Sequence, residues 1–246
     1  MKDLGFLKQN LIAHRGFHNI LLDIPENSIP AFIQAVKYKF TIELDARLLK
    51  DNTVVVFHDA NLKRMTGIDK PIKDCTFSDL QSLNLQNTSE KIPSLAEVLE
   101  CVNSQVPIII EFKSDVKMSL LAKEAMKILK NYNGPFAIKS FHPGCVYYFK
   151  RHYPNIVRGQ LSYNYNDSKI GFLGKFILKN MLFNFLTKPD FISYSIEDFS
   201  KDKINKMRKN KLVLGWTVRN KEQFHKNYGY FDNLICENMQ DYMNLK

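Results

Sequence analysis

The fold turns on the stretch IELDARLLKDNTVVVFHDANL, residues 42–62. It spans two β-rich runs, TIELDA (41–46) and VVVFHD (54–59), parted by about eight residues centred on Lys50-Asp51-Asn52. Parallel neighbours need a crossover of a dozen or more residues, so these runs are expected to form an antiparallel hairpin. Seven similar runs lie elsewhere: LIAHRG (11–16), PIIIEFK (107–113), FAIKSF (136–141), VRGQLS (157–162), FISYSI (191–196), VLGWTV (213–218) and NLICEN (233–238). Most are continuous Val, Ile, Leu and Phe rather than strict alternations, as in parallel strands buried on both faces. Setting VVVFHD aside as the return strand of the hairpin leaves eight, the number that closes a TIM (β/α)8 barrel.

Helical patterns fill most of the gaps, over Ser28–Lys37, from the capping box Ser94-Leu-Ala-Glu97 behind Pro93, over Ser119–Leu129 and over Lys201–Lys209. Strands alternating with helices place the chain in the α/β class. Residues 60–92 carry no clear barrel element and read as a small insertion. With no linker, low-complexity tract or repeat, one domain over 1–246 is expected.

The chain has 246 residues, 45% hydrophobic and 24% charged, ordinary for a globular protein with a full core. Its formal charge of +10 and pI near 9.3 favour anionic partners. The basic residues are scattered, and no nucleic-acid-binding motif or dense basic-aromatic patch is present, so no nucleic acid is expected as partner. Cys75, Cys101, Cys145 and Cys236 lie far apart without CxxC spacing, which argues against structural zinc and a disulfide framework. The N-terminal MKDLGFLKQN does not read as a signal peptide, and no apolar stretch is long enough to span a bilayer. A cytoplasmic location follows as the expectation, with peripheral membrane contact as its extension.

Charge inside apolar runs marks the chemistry. Glu43 and Asp45 alternate with Ile42 and Leu44 and so share one side of their strand. Two buried like charges repel and lose hydration, each ion at a cost of several kcal/mol, unless counter-ions or a divalent cation balance them. Glu111, inside IIIEFK, adds a third carboxylate near a strand end, and three hard oxygen ligands suit Mg2+ or Ca2+ better than zinc. His14 and His58 each end an apolar run and are each followed by a charged residue. Imidazole titrates near neutrality, so the pair can serve as general acid and general base. Arg15 and Lys113 offer positive charge to a phosphate, the first as a fork of donors and the second as a point charge.

Taken in order, HRG (14–16), PENS (25–28), IELDA (42–46), VVVFHD (54–59), IIIEFK (108–113), IPSLAEVL (92–99), SFHP (140–143) and GWTV (215–218) resemble the glycerophosphodiester phosphodiesterases over nearly the whole chain. The resemblance implies a TIM barrel holding one divalent cation, with Glu43, Asp45 and Glu111 as ligands. It implies His14 and His58 as the acid–base pair and Arg15 and Lys113 on the phosphate. Glu26, in PENS, falls where the family keeps an acidic residue beside the site, and Trp216 where it keeps a tryptophan lining the pocket. Ser28 stands in place of the usual Thr, and Asn52 in place of a turn Gly whose left-handed conformation Asn tolerates. Arg219 and the ending Cys236-Glu237-Asn238-Met239 depart from the family pattern near the pocket rim, where the alcohol is selected.

The reaction implied is metal-dependent hydrolysis of a small glycerophosphodiester to sn-glycerol 3-phosphate and an alcohol. A lysophospholipase D acting on acylated diesters is the second reading, and a silent phosphodiester-binding protein the third. The complete set of histidines and carboxylates argues against silence. The segment IGFLGKFILKNMLFNFL (170–186) bears on the second. Leu173, Ile177, Met181 and Phe185 recur at i+4, as expected of a barrel helix covering its strand. Bulky apolar residues mixed with Lys175 and Lys179 also suit a helix beside the catalytic mouth that touches lipid headgroups.

Overall fold

A computed structural model describes residues 2–113, 118–166, 168–197 and 199–243. The strands are β1 (Ile12–Ala13), β2 (Thr41–Leu48), β3 (Val54–Val56), β4 (Ile108–Phe112), β5 (Phe136–Ser140), β6 (Val157–Ser162), β7 (Phe191–Ser195), β8 (Leu212–Val218) and β9 (Asn233–Cys236). All except β3 run parallel in a closed eight-stranded barrel, the last closure made by β1 between β9 and β2. β3 returns antiparallel along β2, pairing Ala46 with Val56 and Leu48 with Val54.

The helices form where the caps predict. Ser28 caps Ile29–Lys37, and Ser94 and Glu97 make a reciprocal capping box at Leu95–Val102. Alternation along each strand then divides the core. Ile42, Leu44, Ile108, Ile110 and Ile138 pack outward under the helices. Ile109, Ala137, Val157 and Phe191 belong to the cluster that fills the barrel interior. Glu43, Asp45 and Glu111 keep step with the inward positions, so three carboxylates face the barrel axis above an apolar floor.

Three details differ from the sequence reading. The first strand is only two residues, because Arg15 (φ 57°) and Gly16 (φ 81°) take left-handed conformations that cannot continue it. β2 runs on to Leu48 through its pairing with β3, which shortens the hairpin connection. Residues 170–186 are not one helix covering a strand. They break into Phe172–Lys179 and Asn184–Thr187 around Met181, which is left-handed (φ 51°), and the first piece buries none of its residues.

Residues 60–92 hold two single-turn helices, Lys63–Thr66 and Phe77–Gln81, and pack Leu62, Met65, Ile72, Leu80 and Leu85 against Val55 and Phe57 of the hairpin arm. Among the described residues no helix is long and apolar enough to cross a membrane.

Candidate active site

Strand register assembles the acidic centre. Asp45 on β2 stands directly beside Glu111 on β4, and Glu43 lies two residues earlier on the same face. One carboxylate oxygen from each of the three lies within 4.8 Å of the others, all three residues buried.

The neighbours of these carboxylates show how the charge is held. Glu43 Oε2 accepts the backbone N–H of Arg15 at 3.1 Å, and the Lys139 ammonium lies 2.8 Å from Glu43 Oε1. Asp45 Oδ2 accepts from the Asn27 amide at 2.9 Å, and Lys113 Nζ lies 2.8 Å from Asp45 Oδ1 and 2.5 Å from Glu111 Oε1. Glu43 Oε1 and Asp45 Oδ1 are buried and, apart from these ammonium contacts, meet no hydrogen-bond donor among the described residues. Buried oxygens with unused lone pairs, on an all-carboxylate donor set, fit a hard divalent cation.

Burial works against the Asp45 carboxylate, but Lys113, Arg15, His58 and His14 outweigh it and hold Asp45 well below the usual carboxylate range. Glu111 is lowered in the same way, burial being outweighed by Lys113 and Lys139. Lys113 is desolvated, yet Asp45 and Glu111 raise it and keep it charged.

The charges of His58 and His14 both help to lower Asp45. His14 follows β1; its Nδ1 bonds Glu237 Oε1 at 2.8 Å, and its Nε2 lies 3.9 Å from Glu43 Oε2. His58 is delivered by the hairpin, where the Phe57 N–H donates to the Asp45 carbonyl and Arg47 clamps the His58 carbonyl. Its Nδ1 bonds Asp59 Oδ1 at 2.6 Å, and burial lowers its pKa. A carboxylate on each Nδ1 fixes the orientation of its ring.

Glu26 binds Arg15 at 2.7 Å and Arg64, from the insertion, at 2.7 Å, so it fixes two guanidiniums beside the mouth. Arg15 Nε, 3.5 Å from Asp45 Oδ2, makes no hydrogen bond among the described residues. Trp216 lines a cleft at the strand ends with Phe141, Tyr163, Asn164, Ser195 and Glu197, its ring centroid 5.5 Å from that of Phe141. A second cleft of about 690 Å3 adjoins it through Phe141 and Tyr165 and is walled by apolar residues including Ile170, Ile177, Phe183 and Leu186. The carboxylates line neither cleft, so the larger hollow lies beside the acidic centre and not over it.

His14, Arg15, Glu26, Glu43, Asp45, His58, Glu111 and Lys113 thus meet in one cluster, and Trp216 lines a cleft at the strand ends. Lys139, Asn27, Asp59, Arg64 and Arg47 were not singled out in the sequence, and Glu237 only as a departure from the family pattern. Lys139 carried the same signal as Glu111, a charge within an apolar run, in FAIKSF.

Residues 14–231 match the model of the glycerophosphoryl diester phosphodiesterase family. YhdW of Bacillus subtilis, provisionally named a glycerophosphodiester phosphodiesterase, is 28% identical over 222 residues, 86% of this chain and 87% of YhdW. Human lysophospholipase D GDPD1 is 35% identical over 145 residues, 54% of this chain and only 44% of that protein. The structure of an Oleispira antarctica phosphodiesterase in complex with the product sn-glycerol-3-phosphate superposes with a TM-score of 0.80 over 94% of this chain and 93% of its own, at 20% identity, a likeness of fold.

Proposed function

Because this chain belongs to the glycerophosphoryl diester phosphodiesterase family, we propose that it hydrolyses small glycerophosphodiesters to sn-glycerol 3-phosphate and an alcohol. The observation that carries this reading is the trio Glu43, Asp45 and Glu111 gathered within 4.8 Å between two carboxylate-oriented histidines. A divalent cation, Mg2+ or Ca2+, held by the three carboxylates would supply Lewis-acid stabilisation of charge on the phosphate oxygens.

The protein's own groups do the rest. Arg15, fixed by Glu26, presents donors to a phosphate oxygen. Lys113 and Lys139 balance the buried carboxylates and keep the site positive enough for an anionic diester. One histidine removes the proton of the glycerol 2-hydroxyl as that oxygen attacks phosphorus, and the other protonates the departing alcohol oxygen. The resulting cyclic phosphate is opened by water with the two histidines exchanging roles, which returns both to their starting protonation. Trp216 lines the cleft that would receive the alcohol. Diesters that keep one acyl chain are the second reading, in which the apolar cleft adjoining that one would take the chain.

A panel of deacylated glycerophosphodiesters and lysophospholipids, assayed with EDTA and then with metal restored, tests both. Turnover of the deacylated compounds, lost in EDTA and regained with Mg2+ or Ca2+, is expected. Turnover of lysophospholipids alone would transfer the assignment to the second reading, and turnover indifferent to EDTA would remove the cation.

A further inference from the structure

The segment that departs from a barrel helix leaves a dense group of exposed apolar side chains. Phe172 is 87% exposed, Phe185 71% and Leu173 69%, with Phe176, Leu182 and Leu186 also exposed. Single exposed apolar residues need no explanation, but this many within fifteen residues form a patch of the kind that marks an interaction surface.

The patch is firmly mounted. Ser162 Oγ and Lys203 Nζ donate to the carbonyls of Leu178 and Lys179 at 3.1 and 2.9 Å, and Lys150 reaches the carbonyl of Leu186. Phe172–Lys179 and Asn184–Thr187 are thereby held apolar side outward against the barrel.

Its charge selects the partner. From Ser168 to Pro189 the sequence carries Lys169, Lys175, Lys179 and Lys188 and no carboxylate. The neighbouring helix Pro143–His152, which packs against Asn184–Thr187, adds Lys150 and Arg151 in its last turn. Aromatic and aliphatic side chains set among lysines match the apolar boundary and the anionic headgroups of a bilayer. A protein partner of ordinary composition would present no such uniformly negative field.

We propose that Phe172–Leu186, with the basic end of Pro143–His152, is a docking surface for an anionic membrane. The apolar cleft between these elements opens beside the catalytic mouth through Phe141 and Tyr165. Docking would therefore bring the mouth to the headgroup layer, where phosphodiesters are concentrated. The inference is independent of the hydrolytic assignment, because binding is read without turnover.

The test is sedimentation of the whole chain with vesicles of phosphatidylcholine alone and of phosphatidylcholine with phosphatidylglycerol in equal parts, at low and high salt. The parent protein is expected to pellet with the anionic vesicles at low salt and to be weakened by high salt. Phe172→Ser with Phe185→Ser, both exposed and so compatible with folding, is expected to weaken that binding at least ~10-fold and to leave hydrolysis of a soluble glycerophosphodiester unchanged. Lys169→Glu with Lys179→Glu is expected to abolish the preference for anionic vesicles. Parent protein that stays in the supernatant at low salt overturns the proposal. So does a double-serine variant that pellets like the parent, which reduces binding to general charge adsorption. A parent dimer that the same serines convert to a monomer would assign the patch to a second copy of this chain instead.

Discussion

Lys139 is the residue on which the charge balance of the site rests. Its side chain is 2% exposed, it stands beside Glu111 in register, and its ammonium is 2.8 Å from Glu43 Oε1 and 3.7 Å from Glu111 Oε2. Removing one member of a buried ionic cluster leaves the others uncompensated, at a cost of about 3–5 kcal/mol. Lys139→Met should therefore lower stability by that order in urea unfolding with EDTA present. Saturating Mg2+ should recover part of the loss, because a cation on the same carboxylates replaces the missing charge. Equal losses with and without Mg2+ would separate Lys139 from the cation site. At the flanking histidines, His14→Ala or His58→Ala should each cut turnover at least ~100-fold, as for loss of a general acid or base, and near-parental turnover in either would dissolve the pair. Glu237 gives a pH test. Burial raises its carboxyl, but the hydrogen bond and charge of His14 prevail and bring it from about 4.5 down to about 2. A depressed carboxyl stabilises the fold above its ordinary pKa and loses that contribution as pH falls towards the folded value. Glu237→Gln should be less stable than the parent at neutral pH, with the gap closing between about pH 4.5 and 2. A gap that does not change with pH would mean that Glu237 is held by something other than its charge.

At the scale of elements, the β2–β3 hairpin carries His58 to Asp45, and its turn depends on Asn52 at φ 66°. Gly accepts that conformation without a side-chain penalty, whereas a β-branched residue does not. Asn52→Gly should leave stability within about 1 kcal/mol of the parent. Asn52→Val should cost about 1–2 kcal/mol and lower turnover as well, because the arm that positions His58 is loosened. Loss of stability with full turnover would show that the arm tolerates a disturbed turn. This hairpin was legible in the sequence because its evidence is local: two apolar runs too close for a crossover, with a turn residue between them. The inward carboxylates were legible for a similar reason, as charges breaking apolar runs. Partners that arrive from other strands were not. Glu237 meets His14 and Lys139 meets Glu43 through strand order and stagger, which no single segment encodes. The end of β1 rests on left-handed Arg15 and Gly16 and the break in 170–186 on left-handed Met181, and neither Arg nor Met carries a preference that would announce one.

Across the whole molecule, the barrel interior sets the charged groups of β2, β4 and β5 above an apolar floor. Gly159 on β6 registers with Lys139 on one flank and Phe191 on the other. A Cβ at Gly159 would come within 2.3 Å of the Phe191 ring, so the glycine makes room for an aromatic of that floor. Gly159→Ala should cost about 1–3 kcal/mol through overpacking, read as a lowered urea midpoint; an unchanged midpoint would mean that Phe191 repacks freely. The same architecture brings oxygens from β2 and β4 to one point, and the hydrolytic reading depends on a cation being held there. Diffraction from crystals soaked in Mn2+, recorded for anomalous scattering, reads this directly. The account predicts one strong peak about 2.0–2.6 Å from carboxylate oxygens of Glu43, Asp45 and Glu111 together, within the range of hard-cation bonds. A peak bound elsewhere, or none at these three side chains in crystals of active protein, would contradict it.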